Sequence, residues 1–195
     1  MKTHWVLILA IAALPAACLL AESQTLVVQF DPKQTSVEFT LGDVLHTVHG
    51  SFQLRSGRIE FDPDSGKADG QLIVDATSGN SGSEARDSRM HKNILESNRY
   101  PDIIFRPDRI VGNVAAEGAS HTGVHGLFTI HGSAHEITLP VDIKASGGRM
   151  EIDTRFPVPY VQWGMKNPSN LLLRVNQTVD IHIHGITQTS GSHAR

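Results

Sequence analysis

Alternation of apolar and polar residues at every second position is the feature that most constrains how this chain folds. It is cleanest at residues 36–41, where Val37, Phe39 and Leu41 alternate with polar neighbours. Because successive side chains of a β-strand point to opposite faces, the pattern predicts strands with one apolar face. Similar segments lie at residues 48–54, 58–61, 70–76, 102–105, 109–114, 124–131, 136–143, 149–154, 171–175 and 178–183. About nine or ten short strands at hairpin spacing predict an all-β fold, an antiparallel sandwich or barrel.

Turn-forming residues separate the predicted strands. Asp62-Pro63-Asp64-Ser65-Gly66 combines a proline with a fixed φ, aspartates that bond their own backbone, and a glycine that tolerates positive φ. Gly147-Gly148 predicts a second turn, and Ser56-Gly57 predicts a tight third one. Turns of this kind favour hairpin connections between neighbouring antiparallel strands.

One segment lacks the alternation and predicts a helix. Residues 86–96 contain no glycine or proline, and their apolar side chains recur at helical spacing: Met90, Ile94 and Leu95. Ser81 and Glu84 match a capping box ahead of the segment, and the chain must leave the helix before Pro101. We expect a helix of about three turns that lies against or across the sheet.

The N-terminus has the features of an export signal. Lys2 precedes an apolar run at residues 5–14, which is too short to span a bilayer. Cleavage after Ala21 would leave a mature chain without cysteine, and so without disulfides. Cleavage before Cys18, the single cysteine, would instead give a lipid-anchored lipoprotein, although Pro15 stands where that signal usually has an aliphatic residue. Plain secretion is the preferred prediction.

The remainder of the chain has the size of one domain. Residues 22–186 can form a single core, and residues 187–195 are rich in serine and glycine and predict a disordered tail. The net charge of −3 gives no indication of a nucleic-acid partner or of an anionic membrane surface.

Six short motifs occur in order along nearly the whole predicted domain. Val48-His49-Gly50-Ser51-Phe52 and Tyr100-Pro101-Asp102-Ile103-Ile104-Phe105 are two of them. The full set lies at residues 31–39, 48–52, 57–62, 86–87, 100–105 and 127–132, with residues 137–141 following the last. Together they resemble the YceI-like family of bacterial lipid-binding or polyisoprenoid-binding proteins.

The resemblance implies an antiparallel lipocalin-like β-barrel with one α-helix, whose interior holds an isoprenoid chain, and residence in the periplasm. The sequence departs from the family pattern in the helix. Many members have histidine two residues after Arg-Asp and then a Phe-Phe-Asp stretch, where this chain has Arg89 and Asn93-Ile94-Leu95-Glu96. We therefore expect the helix of this chain to contact the ligand differently from the helix of other family members.

The inward apolar faces of the strands form the predicted binding site. The residues expected to line it are Val37, Phe39, Phe52, Phe105, Phe128, Ile130 and Leu139, with Met90, Ile94 and Leu95 covering it from the helix and Trp163 at one mouth. Gly50, Gly57 and Gly126 stand in phase with this face, and we expect them to leave room for a channel. Alternation alone is also what a solid core requires; the family resemblance favours the cavity.

The sequence also bears on two other classes of function. Eleven histidines, with His182 and His184 on one strand face, make a periplasmic metal-binding protein the alternative. Neither a nucleophile elbow nor a phosphate-binding loop is present in the sequence. The prediction is a non-enzymatic protein, without a metal or a resident cofactor, that sequesters or carries a polyisoprenoid or prenylated quinone. Transient membrane contact and a homodimer are compatible with it.

Overall fold

The computed structural model describes residues 25–42, 46–169 and 174–192, and β-strands occupy most of them. The strands are β1 (Thr25–Gly42), β2 (Thr47–Phe61), β3 (Ala68–Asn80), β4 (Asp102–Val111), β5 (Gly118–Ile130), β6 (Ser133–Ser146), β7 (Arg149–Val158) and β8 (Val179–Ser192). Each pairs antiparallel with the next, and β8 pairs back onto β1 to close a barrel of eight strands. Because the barrel is closed, no strand is left with an unpaired edge of backbone N–H and C=O groups. The predicted all-β antiparallel barrel with one helical segment is confirmed.

Two pairs of predicted strands are in fact single strands. β2 runs straight through Ser56-Gly57, where a turn was predicted, with an irregularity of register between Leu54 and Ser56. β4 joins residues 102–105 to residues 109–111 through a similar irregularity after Pro107. A β-bulge inserts a residue without ending the strand, so glycine and proline can stand inside one. The expected count of nine or ten strands was therefore too high for the described residues.

Strand β8 extends further toward the C-terminus than predicted. Residues 187–192 extend β8, where Thr187 pairs with Phe30 of β1 and with Met150 of β7. The prediction of disorder from residue 187 was wrong because backbone hydrogen bonds hold a strand between two neighbours whatever its side-chain composition. Residues 193–195, the predicted export signal at residues 1–21, and residues 171–173 of one predicted strand lie outside the described residues.

Two of the predicted turns are present. The Asp62 carboxylate accepts hydrogen bonds from the backbone N–H groups of Asp64 and Ser65, and Gly66 has a φ of 71°. Gly147 and Gly148 have φ values of 57° and 78° between β6 and β7. Both connections are hairpins between neighbouring strands of the barrel.

The helical segment consists of α1 (Glu84–Arg89) and a π-helix (Met90–Ile94) that continues it. The predicted capping box is wrong, because the helix starts after Ser83 and has no side-chain cap. Instead, the Asp87 carboxylate accepts hydrogen bonds from the backbone N–H and the hydroxyl of Ser81. Gly82, with a φ of 79°, turns the chain so that Ser81 faces Asp87.

The two ends of the barrel differ. One end, which we call the helical end, carries the helical segment, the β5–β6 turn and the connection from β7 to β8. The other end carries the β2–β3, β4–β5 and β6–β7 connections and the first and last described residues. None of the helices in the described ranges has the length and apolar character needed to span a bilayer.

Candidate ligand-binding site

The barrel interior is lined by apolar side chains from every strand. The lining alternates with outward polar residues, so β6 buries Leu139, Val141 and Ile143 while the residues between them are exposed. One continuous cluster includes buried residues of β1 to β7, and Val179, Ile181 and Ile183 of β8 pack against it. The alternation in the sequence thus produces one enclosed apolar region.

This interior is uncharged. The buried polar residues of the described chain are threonines and one serine: Thr35, Ser97, Thr122, Thr154 and Thr187. No lysine, arginine, aspartate, glutamate or histidine of the described residues belongs to the buried set. Because an ion buried without a partner is strongly unfavourable, such an interior can accept only neutral groups.

The interior side chains are almost entirely enclosed. Only Ala76 and Val158 fall to 1% exposure, whereas the other buried apolar residues of the described chain retain 3–8% of their surface.

Aromatic rings close the interior at the helical end. The Phe128 ring lies 5.9 Å from that of Phe156, edge to face, and 5.8 Å from that of Trp163. Trp163 in turn stacks on His135, with a centroid distance of 4.0 Å and an interplanar angle of 6°. Burial lowers the pKa of His135, so its imidazole is neutral at pH 7.

The helical segment covers the neighbouring part of the same end. A Cβ built at Gly79 would lie 2.6 Å from Met90 Cε and 2.6 Å from Phe52 Cε1, so these two side chains meet over that glycine. Leu95 is buried, and Ile94 packs against the apolar cluster. Phe39 contacts Phe52 with ring centroids 5.4 Å apart. The cover is therefore made of flexible and aromatic apolar side chains.

The imidazole of His91 connects the helical segment to the barrel through two hydrogen bonds. Its Nε2 lies 3.0 Å from the backbone oxygen of Gly79, and its Nδ1 lies 3.1 Å from the hydroxyl of Ser97. Since a carbonyl oxygen only accepts, Nε2 carries the proton and Nδ1 accepts from Ser97. One imidazole thus links the π-helix to the end of β3 and to the chain that leaves the helix.

The residues predicted from the sequence come together in this region. Seven are buried, namely Val37, Phe39, Leu95, Phe105, Phe128, Ile130 and Leu139. Four are partly buried against the apolar cluster, namely Phe52, Met90, Ile94 and Trp163. Their contact with a ligand stays a prediction.

The glycines predicted to open a channel do not do so. A Cβ at Gly50 would lie 2.3 Å from Phe39 Cζ, and one at Gly126 would lie 2.2 Å from the backbone oxygen of Arg106. At Gly57, the nearest atom is Phe30 Cβ at 3.0 Å. Neighbouring rings and backbone already occupy the room that each missing side chain leaves.

Several interior residues were missed at the sequence level. Phe156 and Val158 extend the alternation of β7 beyond the predicted residue 154, so that pattern contained a usable signal. Tyr160 is buried in the connection after β7, where no periodicity marks it. The Tyr160 hydroxyl donates to the backbone oxygen of Asn176, and burial raises the pKa of that phenol.

The histidines of the metal-binding alternative lie on the outer wall. His182 Nε2 is 2.6 Å from Asp153 Oδ2, and His184 Nδ1 is 3.5 Å from the same oxygen. Burial raises the pKa of Asp153, but its hydrogen bond with His182 and the nearby positive groups outweigh this and lower it. The described residues contain no group of three or more histidine, cysteine, aspartate or glutamate side chains arranged to hold a metal ion. The geometry gives that alternative no support.

A concavity on the outer wall has a different character from the interior. It has a volume of about 550 Å³ and lies over β5, β6 and β7. Its lining includes the charged residues Asp142, Lys144, Glu151, Asp153 and Arg155. A mixed-charge lining of this kind does not suit an apolar ligand.

The fold and the interior define a small closed β-barrel with an apolar, uncharged interior that is covered at one end. Barrels of this strand number are either filled by their own side chains or hold one small ligand. The sequence profile of the YceI-like domain matches residues 29–186, so the chain belongs to the YceI-like family. The predicted family membership is confirmed.

Solved structures share the fold at low sequence identity. Burkholderia cenocepacia BcnA is 19% identical, with a TM-score of 0.65, over 80% of this chain and 98% of that one. A polyisoprenoid-binding domain from Saccharophagus degradans, implicated in plant cell wall breakdown, is 15% identical, with a TM-score of 0.64, over 84% and 98%. A mutant of the Campylobacter jejuni YCEI protein is 17% identical, with a TM-score of 0.58, over 77% and 88%. No curated protein sequence matches the chain significantly.

Proposed function

We propose that this protein binds one long, neutral, apolar lipid of the isoprenoid type inside its barrel and holds or carries it between membranes. The observation that carries the proposal is the barrel interior, which has apolar side chains from all eight strands and no charged residue in its described buried set. Membership of the YceI-like family and similarity to a polyisoprenoid-binding domain support it.

The energetics of such binding are favourable. Burial of a CH₂ group stabilises by about 0.8 kcal/mol, so a five-carbon isoprene unit contributes roughly 3 kcal/mol in the lumen. Loss of translational, rotational and chain freedom on binding opposes this by about 4–15 kcal/mol, so a few buried units give a net gain. A chain of several isoprene units is therefore the minimal ligand that we expect to bind tightly.

Entry of the lipid requires movement at the helical end. Trp163, His135 and Phe128 close the interior there, and Met90 covers Phe52 from the π-helix. These contacts are apolar and aromatic, so a lipid chain can replace them with contacts of similar strength. We propose that the helical segment and the Trp163 connection withdraw to admit the ligand and close over it.

The role that we propose is binding and not catalysis, with the barrel acting as a container for a chain insoluble in water. We further propose that the protein acts outside the cytoplasm, in the periplasm, as the export signal predicted at residues 1–21 suggests. Enclosure would keep the lipid from water during passage between two membranes.

Filling the lumen tests the proposal. Leu139→Trp adds bulk inside the barrel, whereas Thr138→Trp places the same side chain on the outer face of the same strand. We expect purified full-length Leu139→Trp protein to lose binding of geranylgeraniol by at least tenfold and Thr138→Trp to keep it. Overpacking destabilises by about 1–3 kcal/mol, so circular dichroism must show that both variants are folded.

Ile183→Trp provides a second filled barrel if the first variant does not fold, since Ile183 is only partly buried. Undiminished binding by a folded, lumen-filled variant would place the lipid outside the barrel and overturn the proposal.

A further inference from the structure

Three interior threonine hydroxyls have no hydrogen-bond partner among the described protein groups. Thr35, Thr154 and Thr187 are 9%, 7% and 3% exposed, and the Oγ1 atom of each is buried and unpaired. A buried hydroxyl without a partner is unfavourable by about 1–3 kcal/mol. Thr122 shows the usual solution in the same barrel, since its buried hydroxyl donates to the backbone oxygen of Val111 at 2.9 Å.

The strand register places the three threonines on the inner faces of three adjoining strands, on either side of Gly185. Thr35 of β1 pairs with Gly185 of β8, and Thr187 lies two residues further along β8 on the same face. Thr154 of β7 pairs with Ile183, two residues from Gly185 in the other direction. Neighbouring strands are about 4.8 Å apart, and successive residues of one face are about 7 Å apart. The threonines thus lie along the inner wall of β1, β7 and β8, with Thr154 and Thr187 about 14 Å apart along the strand direction.

Gly185 lets the Thr35 side chain lie close to the backbone of β8. A Cβ at residue 185 would lie 3.1 Å from Thr35 Oγ1 and 3.4 Å from Phe30 Cδ1, so these two side chains occupy the room above the glycine. Gly185 is buried and is not among the glycines with positive φ, so its backbone does not itself require glycine. The absence of a side chain there makes room for Thr35.

We propose that the unpaired hydroxyls of Thr35, Thr154 and Thr187, together called the threonine site, offer neutral hydrogen-bonding positions along the inner wall, and that an uncharged hydroxyl or carbonyl group of the enclosed lipid binds at one of them. Threonine hydroxyls donate and accept, so they suit either group. A phosphate or carboxylate finds no counter-charge there, because no charged side chain of the described residues is buried. This inference rests on the proposed lipid binding and specifies which lipids are selected.

The position of the threonine site also orients the ligand. On β1, Val37 and Phe39 lie between Thr35 and the helical end, and on β7, Phe156 and Val158 lie between Thr154 and that end. The oxygen-bearing group therefore lies deep in the barrel, and the chain runs toward the cover formed by Met90 and Trp163. The lipid enters with its neutral polar group leading.

Matched probes test the threonine site. Full-length protein, stripped of lipid, is titrated with geranylgeraniol, with the hydrocarbon that lacks only its hydroxyl, and with geranylgeranyl phosphate. A net hydrogen bond contributes about 0.5–1.5 kcal/mol, so the wild type should bind the alcohol roughly 2- to 12-fold more tightly than the hydrocarbon. The phosphate should bind most weakly of the three.

The isosteric triple variant Thr35→Val, Thr154→Val, Thr187→Val removes the hydroxyls and keeps the shape of the lumen. We expect it to bind alcohol and hydrocarbon equally and to be at least as stable as the wild type. Thr122→Val is the control, which loses the bond to Val111 but should keep the preference for the alcohol. Thr187→Val alone serves if the triple variant does not fold.

The outcomes separate this inference from the proposed function. Equal binding of alcohol and hydrocarbon by the wild type, or retention of the preference by the triple variant, overturns the threonine site and leaves lipid binding intact. Tightest binding of the phosphate also overturns it. Failure of all three probes to bind contradicts the proposed function itself.

Discussion

The imidazole of His135 lies flat on the indole of Trp163, with ring centroids 4.0 Å apart and an angle of 6° between the planes. His135 belongs to β6 and Trp163 to the connection after β7, so this stack ties that connection to the barrel wall. It is also part of the cover through which we propose that the lipid enters.

Trp163→Ala should loosen the cover. The change removes the stack on His135 and the contact with Phe128, and for a partly buried aromatic residue we expect a loss of about 1–3 kcal/mol in the free energy of unfolding. Dissociation of bound geranylgeraniol should become faster. Urea unfolding and stopped-flow release measure the two effects, with Trp163→Phe as a control that retains an aromatic ring. Unchanged release by the alanine variant would show that the ligand leaves elsewhere.

Acidification should destabilise the protein through His135. Burial lowers the pKa of this imidazole below its usual 6.5, so the unfolded chain takes up the proton more readily than the folded one. The resulting loss of stability begins as the pH falls below 6.5 and ends once the pH is below the pKa of the folded state. His135→Phe keeps a ring for stacking but cannot titrate. Urea unfolding at pH 7 and pH 5 should show a smaller loss in this variant than in the wild type.

Gly126→Ala should be far more damaging than Gly123→Ala on the same strand. A methyl group at residue 126 meets the backbone oxygen of Arg106 at 2.2 Å, whereas one at residue 123 meets the side-chain methyl of Thr138 at 3.0 Å. Backbone cannot move aside as a side chain can, so we expect Gly126→Ala to lose about 1–3 kcal/mol and Gly123→Ala clearly less. Thermal unfolding of the two variants checks this order. Equal stability would mean that Gly126 faces open space after all.

Asp87→Ala should weaken the start of α1. Its carboxylate accepts hydrogen bonds from the N–H and hydroxyl of Ser81, and their loss should lower stability by about 1 kcal/mol. Ser83→Ala is the matched control, because Ser83 is at the N-cap position but makes no side-chain cap bond. Hydrogen exchange of residues 84–94 should accelerate in the first variant only. If Ser83→Ala accelerates hydrogen exchange as much as Asp87→Ala does, then capping by Ser83 and not the Asp87 carboxylate stabilises the start of the helix.

The fold could be predicted from the sequence because every strand of a barrel wall alternates inward apolar residues with outward polar residues. Alternation in β1 and β6 predicted inward Val37, Phe39 and Leu139, and all three are buried. Strand ends were less readable, since Ser56-Gly57 and Pro107 resemble breaks yet stand inside bulged strands. A bulge depends on the partner strand, which local sequence does not reveal.

The candidate site could be predicted only in part, because local sequence does not show what lies on the neighbouring strands. Phe52, Phe128 and Trp163 could be selected as apolar residues on the predicted face or at a mouth, and they lie in the interior or its cover. Thr35, Thr154 and Thr187 could not, because threonine is common in strands and nothing in its sequence context shows whether its hydroxyl is paired. Only the register across β1, β7 and β8 brings these three together.

Organic extraction of the protein purified from its native host, followed by mass spectrometry, tests the central claim most directly. We predict close to one equivalent of an isoprenoid lipid per chain, with a neutral hydroxyl or carbonyl group at one end. If protein purified from its native host yields no lipid, or yields a stoichiometric metal ion instead of a lipid, the claim is contradicted.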